Sequence, residues 1–331
     1  MILAYALGRK LEISDKSLIR EQKLRLQALE QIEENFEKLK KRDEIIKSYV
    51  SPSILTEVAL HKDPLSYEPR SLKKCILFCD IRDYTTLSEK SKSEDAAVLL
   101  NKFFEMMNDS VFRHNGEVDK LIGDAVMATF DDAADCLAAI EAFRDLFKGF
   151  NENRIVLGKN PIYVGIGISY GEVLSANFGS KYKLDRTIVG DAVNVASRFD
   201  GLSKSYKVDI VCTEAFISQL PHFEFYRPLD IVKVRGRDEE MVIYEIFTHA
   251  QSRVLSYKSD SKASLEKMIS ALKEQNFELA REIVCGLIDS NPAHSYRQGQ
   301  ILDMSLYSIL SSIDNKIKAR VGFDGNKKNV A

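Results

Sequence analysis

The stretch EVDKLIGDAVMATF, Glu117–Phe130, reads as two short strands that flank a turn at Gly123–Asp124. Lys120 stands four residues before Asp124, and Gly123 keeps the turn between the strands tight. A surface hairpin would accept both charges for solubility alone. In an extended strand they would lie roughly 13 Å apart, from about 3.3 Å of rise per residue. The alternative is that each charge serves a site.

Outward from this hairpin the chain alternates strands and helices. CILFC (Cys75–Cys79) is a continuous apolar run, as expected of a strand buried on both faces. Ser91 with Glu94 resembles a capping box, and the helix after it carries Ala96, Leu100, Phe103, Met107 and Val111 on one face. A helix from about Ala133 to Phe150 follows the hairpin. IYVGIGIS is a further strand, which Gly171 is expected to turn into EVLSANF. TIV then leads into the helix GDAVNVASRFDGLS, followed by the strands VDIVC, FYRPLDIVKV and MVIYEIF. Alternation with hairpins predicts an α/β or α+β sandwich over an all-parallel wound sheet.

The flanks have a different texture. From Leu29 the apolar residues Leu29, Ile32, Phe36, Leu39, Ile46 and Val50 alternate spacings of three and four, with Asp43 in the missing step. That heptad predicts a helix that pairs with a copy of itself, the alternative being an amphipathic helix lying on its own domain. The stub MILAYALGRK, with Arg9 and Lys10 after an apolar run, fits the last turns of a membrane helix or a short packed N-terminus. The expected divisions are residues 1–17 as this stub, 18–50 as a coiled-coil helix, 51–71 as a linker, 72–249 as the α+β domain and 250–331 as helices. SLEKMISALKEQNFELAREIVCGLI suggests a helical pair in the last of these, and the tail GFDGNKKNVA is expected to be disordered.

A net charge of −2 over 331 residues carries no polyanion-binding signal, so nucleic acid is not an expected partner. The five cysteines (Cys75, Cys79, Cys136, Cys212, Cys285) are scattered through apolar runs, which predicts reduced buried thiols in a cytosolic compartment. Cys75 and Cys79 without a nearby His make a poor zinc site.

Asp80 closes the most apolar strand, where a carboxylate is costly unless it is paired or binds metal. Asp124 is expected beside it, and two converging carboxylates form a hard oxygen site suited to Mg²⁺. Beyond Asp80, IRDYT enters a helix whose free N–H groups can receive a phosphate. On the helix after TIV, Asn194 and Arg198 share one face, while Ala192, Val195, Ala196 and Phe199 form the other. Taken alone these residues also fit two unrelated surface aspartates and a solvated Asn and Arg. GIGISYG (Gly165–Gly171) has the wrong spacing for a dinucleotide fingerprint, and its glycines fit strands or backbones in close approach.

FCDIRDYT, EVDKLIGDAVMATF and TIVGDAVNVASR, in this order and spacing, together resemble the catalytic domain of class III nucleotidyl cyclases, the adenylyl and guanylyl cyclase family. The resemblance runs from about Leu72 to Thr248. It implies a ferredoxin-like βαββαβ core working as a head-to-tail homodimer with active sites at the interface, and two Mg²⁺ or Mn²⁺ ions per site. By position, Asp80 and Asp124 fall on the metal-binding aspartates and Ile81 on the residue whose carbonyl also touches metal. Lys120 falls on the purine-selecting lysine of adenylyl cyclases, where guanylyl cyclases carry Glu. Thr187 falls on the second purine-reading position, which is Asp in animal adenylyl cyclases, Cys in guanylyl cyclases and Thr in many bacterial adenylyl cyclases. Asn194 and Arg198 fall on the pair that positions the ribose and stabilises the transition state. Arg235 falls where a lysine usually holds the terminal phosphates, a task a guanidinium fork can perform.

The implied reaction is ATP to cyclic AMP and pyrophosphate, at a cytoplasmic location, with an upstream sensor or membrane domain as a further expected partner. The rivals are a guanylyl cyclase, opposed by Lys120, and an inactive nucleotide-sensing or dimerisation module. The palm-type diguanylate cyclases share the two-metal logic, but the chain lacks their Gly-Gly-Asp/Glu-Glu-Phe turn.

Overall fold

The computed structural model describes residues 1–50, 52–60, 67–90, 93–180, 182–233, 239–248, 252–290 and 303–328, with backbone alone for 2–19, 48, 52–53, 57, 90, 252–253 and 321–328. The chain divides into two compact units, residues 1–64 and 65–331.

The first unit is α1 (Ile2–Tyr49) followed by α2 (Pro52–Ala59). The heptad residues Leu29, Ile32, Phe36, Leu39 and Ile46 are exposed on α1, so the apolar stripe is uncovered among the described residues. Ion pairs one turn apart, Arg25–Glu21, Lys38–Glu34 and Lys47–Asp43, support the helix from its charged sides. Among the described residues no helix is long and apolar enough to cross a membrane.

The second unit holds an eight-stranded sheet. Its strands are β1 (Arg70–Ile81), β2 (Glu117–Ile122), β3 (Ala125–Phe130), β4 (Val164–Ser180), β5 (Lys183–Val189), β6 (Ile210–Thr213), β7 (Tyr226–Lys233) and β8 (Glu240–Ile246). The order is β2-β3-β1-β4-β6-β8-β7, with β5 paired to β4. The first four strands are antiparallel neighbours, with β1 between β3 and β4. Together with α3 (Tyr84–Lys90), α4 (Ser93–Arg113) and α5 (Ala133–Val156), they form the βαββαβ core that the resemblance implies.

The two faces of β1 separate two layers. Cys75, Leu77, Cys79 and Ile81 face α4 and α5, packing with Phe103, Met107, Ile140 and Phe143. On α4 the buried stripe takes in Leu99 and Met106, while Leu100 lies at its edge. Ile76 and Phe78 face the other way, where Met127, Val173, Ile188 and Ala196 cover them. Met127 and Val173 lie on the neighbouring strands β3 and β4, while Ile188 comes from β5 and Ala196 from α6 (Asp191–Ser205). Cys75, Cys79, Cys136 and Cys212 are buried free thiols and Cys285 is half-buried. Burial pushes the Cys75 thiol up to about 12.

One expected turn is absent. β4 runs unbroken from Val164 to Ser180, and Gly171 sits within it opposite Lys74. The absent side chain serves packing instead, since a Cβ at Gly171 would come within 3.0 Å of Ala192 Cβ. Gly167 is tighter, because a Cβ there would lie 2.2 Å from the Ala196 carbonyl oxygen. The GIGISYG glycines thus seat α6 directly on β4.

A short helix, α7 (Glu214–Ile217), follows β6, and its first turn is capped by the Thr213 hydroxyl, which accepts from the Phe216 N–H. The C-terminal helices α8 (Ser252–Lys273), α9 (Phe277–Asp289) and α10 (Ser305–Lys328) close a further core. Val195 and Phe199 on α6 meet Leu229 on β7 and Leu265, Met268, Val284 and Ile309 from these helices. The last helix extends to Lys328, through most of the tail whose composition suggests disorder. Arg227 of β7 is fully buried and donates to Glu245, Ser261 and Ser305. It also pairs with Asp303 at 2.6 Å, so one guanidinium ties β7 and β8 to α8 and to the start of α10.

Candidate active site

Asp80 is the second-to-last residue of β1, opposite Ala125 of β3 and Gly165 of β4. Strand alternation puts it on the α6 side with Ile76 and Phe78, because Cys79 and Ile81 belong to the opposite core. Asp124, next to Gly123 in the β2–β3 turn, reaches the same point. Gly123 takes a φ of 64°, the left-handed conformation that a glycine allows in so tight a turn.

The Asp124 carboxyl stands beside Asp80, and Asp80 is pushed up to about 7. Burial is the largest cause, followed by the neighbouring Asp124 carboxyl and the charge of Asp200, with the Ile81 backbone opposing. The Asp80 Oδ1 atom is buried with no hydrogen-bond partner. A buried oxygen without a donor, beside a second carboxyl that raises its proton affinity, is an environment that a cation relieves. The residues present therefore fit a hard divalent ion. Among the described residues no group of three or more acidic, His or Cys side chains is arranged to hold one. Two carboxylates leave ligand positions for phosphate oxygens and water, as Mg²⁺ favours.

Asp200 of α6 is a third carboxylate here, one that the sequence motifs do not single out. Burial raises it to about 6 against the opposing charge of Arg82, with Asp80 and Asp124 close by. The Gly165 backbone makes room for it, since a Cβ there would stand 2.5 Å from Asp200 Oδ1. The available signal was position: Asp200 follows Ala196 by four residues and so shares the sheet-facing stripe of α6. Arg82 donates to the Val164 and Val208 carbonyls at 3.1 and 2.5 Å and to Ser203 Oγ at 3.1 Å, locking the ends of β1 and α6 together. A cleft of about 170 Å³ opens between Asp80, Ile81, Arg82, Asp200 and Lys204. The helix that IRDYT was expected to enter is α3, seven residues long, and Asp83 before it pairs with Lys204 at 2.6 Å.

A second cluster forms around Lys120. β2 and β3 slip register between Val118 and Lys120, so Asp119 is the extra residue of a β-bulge. Val118 lies opposite Ala128 of the α4/α5 core, and Lys120 lies opposite Met127 of the other core. Without the extra residue Lys120 would point to the α4/α5 side, because a one-residue shift reverses every side chain. Lys120 pairs with Asp185 of β5 and stands 3.8 Å from Asp119. Thr187, also on β5, donates its hydroxyl to Asp119 Oδ2 at 2.6 Å. Burial raises the Asp119 carboxyl, opposed by Thr187, Lys120 and the Ile188 backbone. Lys120 and Thr187 are thus brought together through two aspartates that the strand pattern did not single out.

Asn194 and Arg198 lie on the outer face of α6, exposed and half-exposed, while Val195, Ala196 and Phe199 are buried. The Ile81 side chain is buried at the end of β1. Arg235 and Ser91 lie outside the described residues.

The matched family is the adenylate and guanylate cyclase catalytic domain, over residues 67–248. The chain belongs to this family. It is 38% identical over 223 residues to an adenylate cyclase of Anabaena cylindrica, covering 64% of this chain and 44% of that relative. With adenylate cyclase 1 of Rhizobium meliloti the identity is 30% over 180 residues, 51% of this chain and 27% of that one. The chain thus spans less than half the length of these relatives. Among solved structures, a bacterial light-regulated adenylyl cyclase is similar with a TM-score of 0.59 and 28% identity, covering 65% of this chain and 63% of that one. The adenylyl cyclase CyaB from P. aeruginosa is similar with a TM-score of 0.51 and 26% identity, over 56% of this chain and 98% of that one.

Proposed function

We propose that the protein is an adenylyl cyclase, forming 3′,5′-cyclic AMP and pyrophosphate from ATP at sites between two copies of the chain. The observation that carries this reading is the Asp80–Asp124 pair, with its buried, unpartnered oxygen at the end of the central strand. The adenylate cyclases among the relatives and structural neighbours support the substrate.

Asp80, Asp124 and the Ile81 carbonyl would hold two Mg²⁺ or Mn²⁺ ions. When bound, such ions neutralise the triphosphate and make the ribose 3′-hydroxyl a better nucleophile. In the reaction the O3′–Pα bond forms as the bond from Pα to the pyrophosphate oxygen breaks, and the 3′-hydroxyl proton leaves to solvent. Asn194 orients the ribose. Arg198 meets the charge that builds on the α-phosphoryl oxygens, where a preorganised guanidinium is most effective. Lys120 donates to adenine N1, which guanine replaces with an N–H, and Thr187 addresses position 6 of the ring. Arg235 would hold the terminal phosphates.

One protomer supplies the carboxylates and the other supplies Lys120, Thr187, Asn194 and Arg198. Leu121 and Ile122, 48% and 49% exposed beside the metal pair, supply apolar surface for such an interface. The heptad stripe of α1 adds a parallel coiled coil, through which an upstream sensor or membrane domain would act. Changing Ile32 and Phe36 to Glu should make specific activity fall on dilution, and a dilution-independent activity would remove the coiled coil from the scheme.

Incubation with ATP or GTP and Mn²⁺, with Asp80→Ala as control, tests the assignment. Cyclic AMP as the main product, absent in the control, is expected. Faster cyclisation of GTP would transfer the chain to the guanylyl cyclases. ATP binding without any cyclic product would leave an inactive nucleotide-sensing module.

A further inference from the structure

We infer that Asp119 is a specificity-determining positioning residue: it takes the single proton of the Thr187 hydroxyl, so that Thr187 meets the purine as a hydrogen-bond acceptor. The inference rests on the reading of Lys120 and Thr187 as the purine-contacting pair, and it deepens that reading.

A hydroxyl has one proton and two lone pairs, and an ionised carboxylate has no proton to give. Thr187 Oγ1 lies 2.6 Å from Asp119 Oδ2, a full-strength bond to a charged acceptor. The other acceptor within reach, the Ile188 carbonyl, is 3.5 Å away, beyond the usual O–H···O range. The proton is therefore committed to Asp119, and only lone pairs remain for the base. Position 6 of adenine carries an amino donor, whereas guanine carries a carbonyl acceptor there. A freely rotating threonine hydroxyl suits both purines. One whose proton is held suits adenine alone and does the work of the Asp found at this position in animal adenylyl cyclases.

Asp119 is itself held in place. Its side chain is 9% exposed, and the Lys120 ammonium stands 3.8 Å from its Oδ2 atom. It is the extra residue of the β2 bulge, so the insertion that turns Lys120 to this face also brings Asp119 against Thr187. Two determinants, one for N1 and one for position 6, thus depend on one irregularity of the strand.

The test compares kcat/KM for ATP, GTP and purine riboside triphosphate, which carries no group at position 6. The proteins are wild type, Asp119→Asn, Thr187→Val and the double variant. Asp119→Asn replaces the carboxylate by a neutral amide that can turn its N–H₂ toward Thr187. The Thr187 hydroxyl then accepts from the new amide and points its own proton at the base. The expected result is a roughly tenfold fall in the ATP-to-GTP ratio, the size of one hydrogen bond. ATP should also lose its advantage over purine riboside triphosphate, and the double variant should lose no more selectivity than Thr187→Val alone. Equal losses for all three nucleotides, or additive losses in the double variant, would give Asp119 a structural role only and overturn the inference. If Asp119→Asn does not fold, Asp119→Ala, which removes the acceptor and frees the Thr187 hydroxyl to rotate, carries the same expectation. Competition binding of the three nucleotides gives the same comparison if no product forms, so failure of the catalytic assignment is read separately.

Discussion

Arg227 and Asp80 are both charges on strands of one sheet, yet their surroundings are opposite. The Arg227 guanidinium is fully buried and meets four partners, Glu245, Asp303, Ser261 and Ser305. Lys258 supplies a second cation to Glu245. A similar centre forms at Asp230 of β7, where Tyr206 and Ser312 donate at 2.6 and 2.5 Å and Lys316 pairs at 2.6 Å. Asp80 instead faces two further carboxyls and keeps one buried oxygen without a donor. Buried charge with an opposite charge beside it welds the C-terminal helices to the sheet, and buried carboxyls that face one another leave a position for a cation. The difference separates the part of the molecule built for rigidity from the part built for chemistry.

The strongest way to break this contrast is to remove the opposite charge from the paired centre. Arg227→Met should cost about 3–5 kcal/mol, because it leaves Glu245 and Asp303 buried without their shared cation. Replacing Arg227, Glu245 and Asp303 together by apolar residues of similar volume should recover most of that loss. Chemical denaturation measures both. A small loss in the single variant would mean that water reaches the centre and that the weld is not dry.

At the carboxylate pair the expected stability effect is smaller and opposite in sign with pH. Asp80 at about 7 and Asp200 at about 6 hold protons in the folded protein that the unfolded chain has already released above pH ~4. The folded state then binds more protons, so metal-free stability falls as pH rises from about 4 to 7. Asp303 is held low: burial raises it, but Arg227 outweighs burial. Its contribution is present above the ordinary carboxylate pKa and is lost as pH falls below it. Thermal melts should show Tm falling by a few °C toward pH 7, with the slope reduced in Asp80→Asn and by saturating Mn²⁺. A slope that neither change affects would place its origin elsewhere in the molecule.

The smallest effect tests how completely the second weld is satisfied. Ser312→Ala removes one of several donors to Asp230 and should cost about 1 kcal/mol, with nucleotide turnover unchanged. A loss several times larger would mean that the Asp230 centre is as finely balanced as the active site.

Much of the candidate site is legible in the sequence. Asp80 stood out as a carboxylate ending an apolar strand, Asp124 as the residue after a turn glycine, and Asn194 and Arg198 as a pair on one helical face. Each of these signals is local, contained within a few residues whose periodicity sets the direction of the side chain. The residues that escaped notice depend on contacts between distant parts of the chain. Asp119 reads as an ordinary alternating strand residue until the bulge is seen, and Thr187, its partner, lies 68 residues away. Gly171 looked like a turn because a lone glycine does not reveal whether its freedom serves φ or close packing.

The sequence by itself determined which elements form, the order of the motifs and the chemical types at the site, because these follow from local periodicity and side-chain chemistry. Only the tertiary structure decided that Lys120 shares a face with Asp80, that Thr187 gives its proton to Asp119, and that Arg227 binds the last helices to the sheet. Those outcomes depend on strand register and on buried charges finding partners across long sequence separations. Local pattern does not encode either, since a register shift of one residue reverses a face and burial alone determines which charges must be paired.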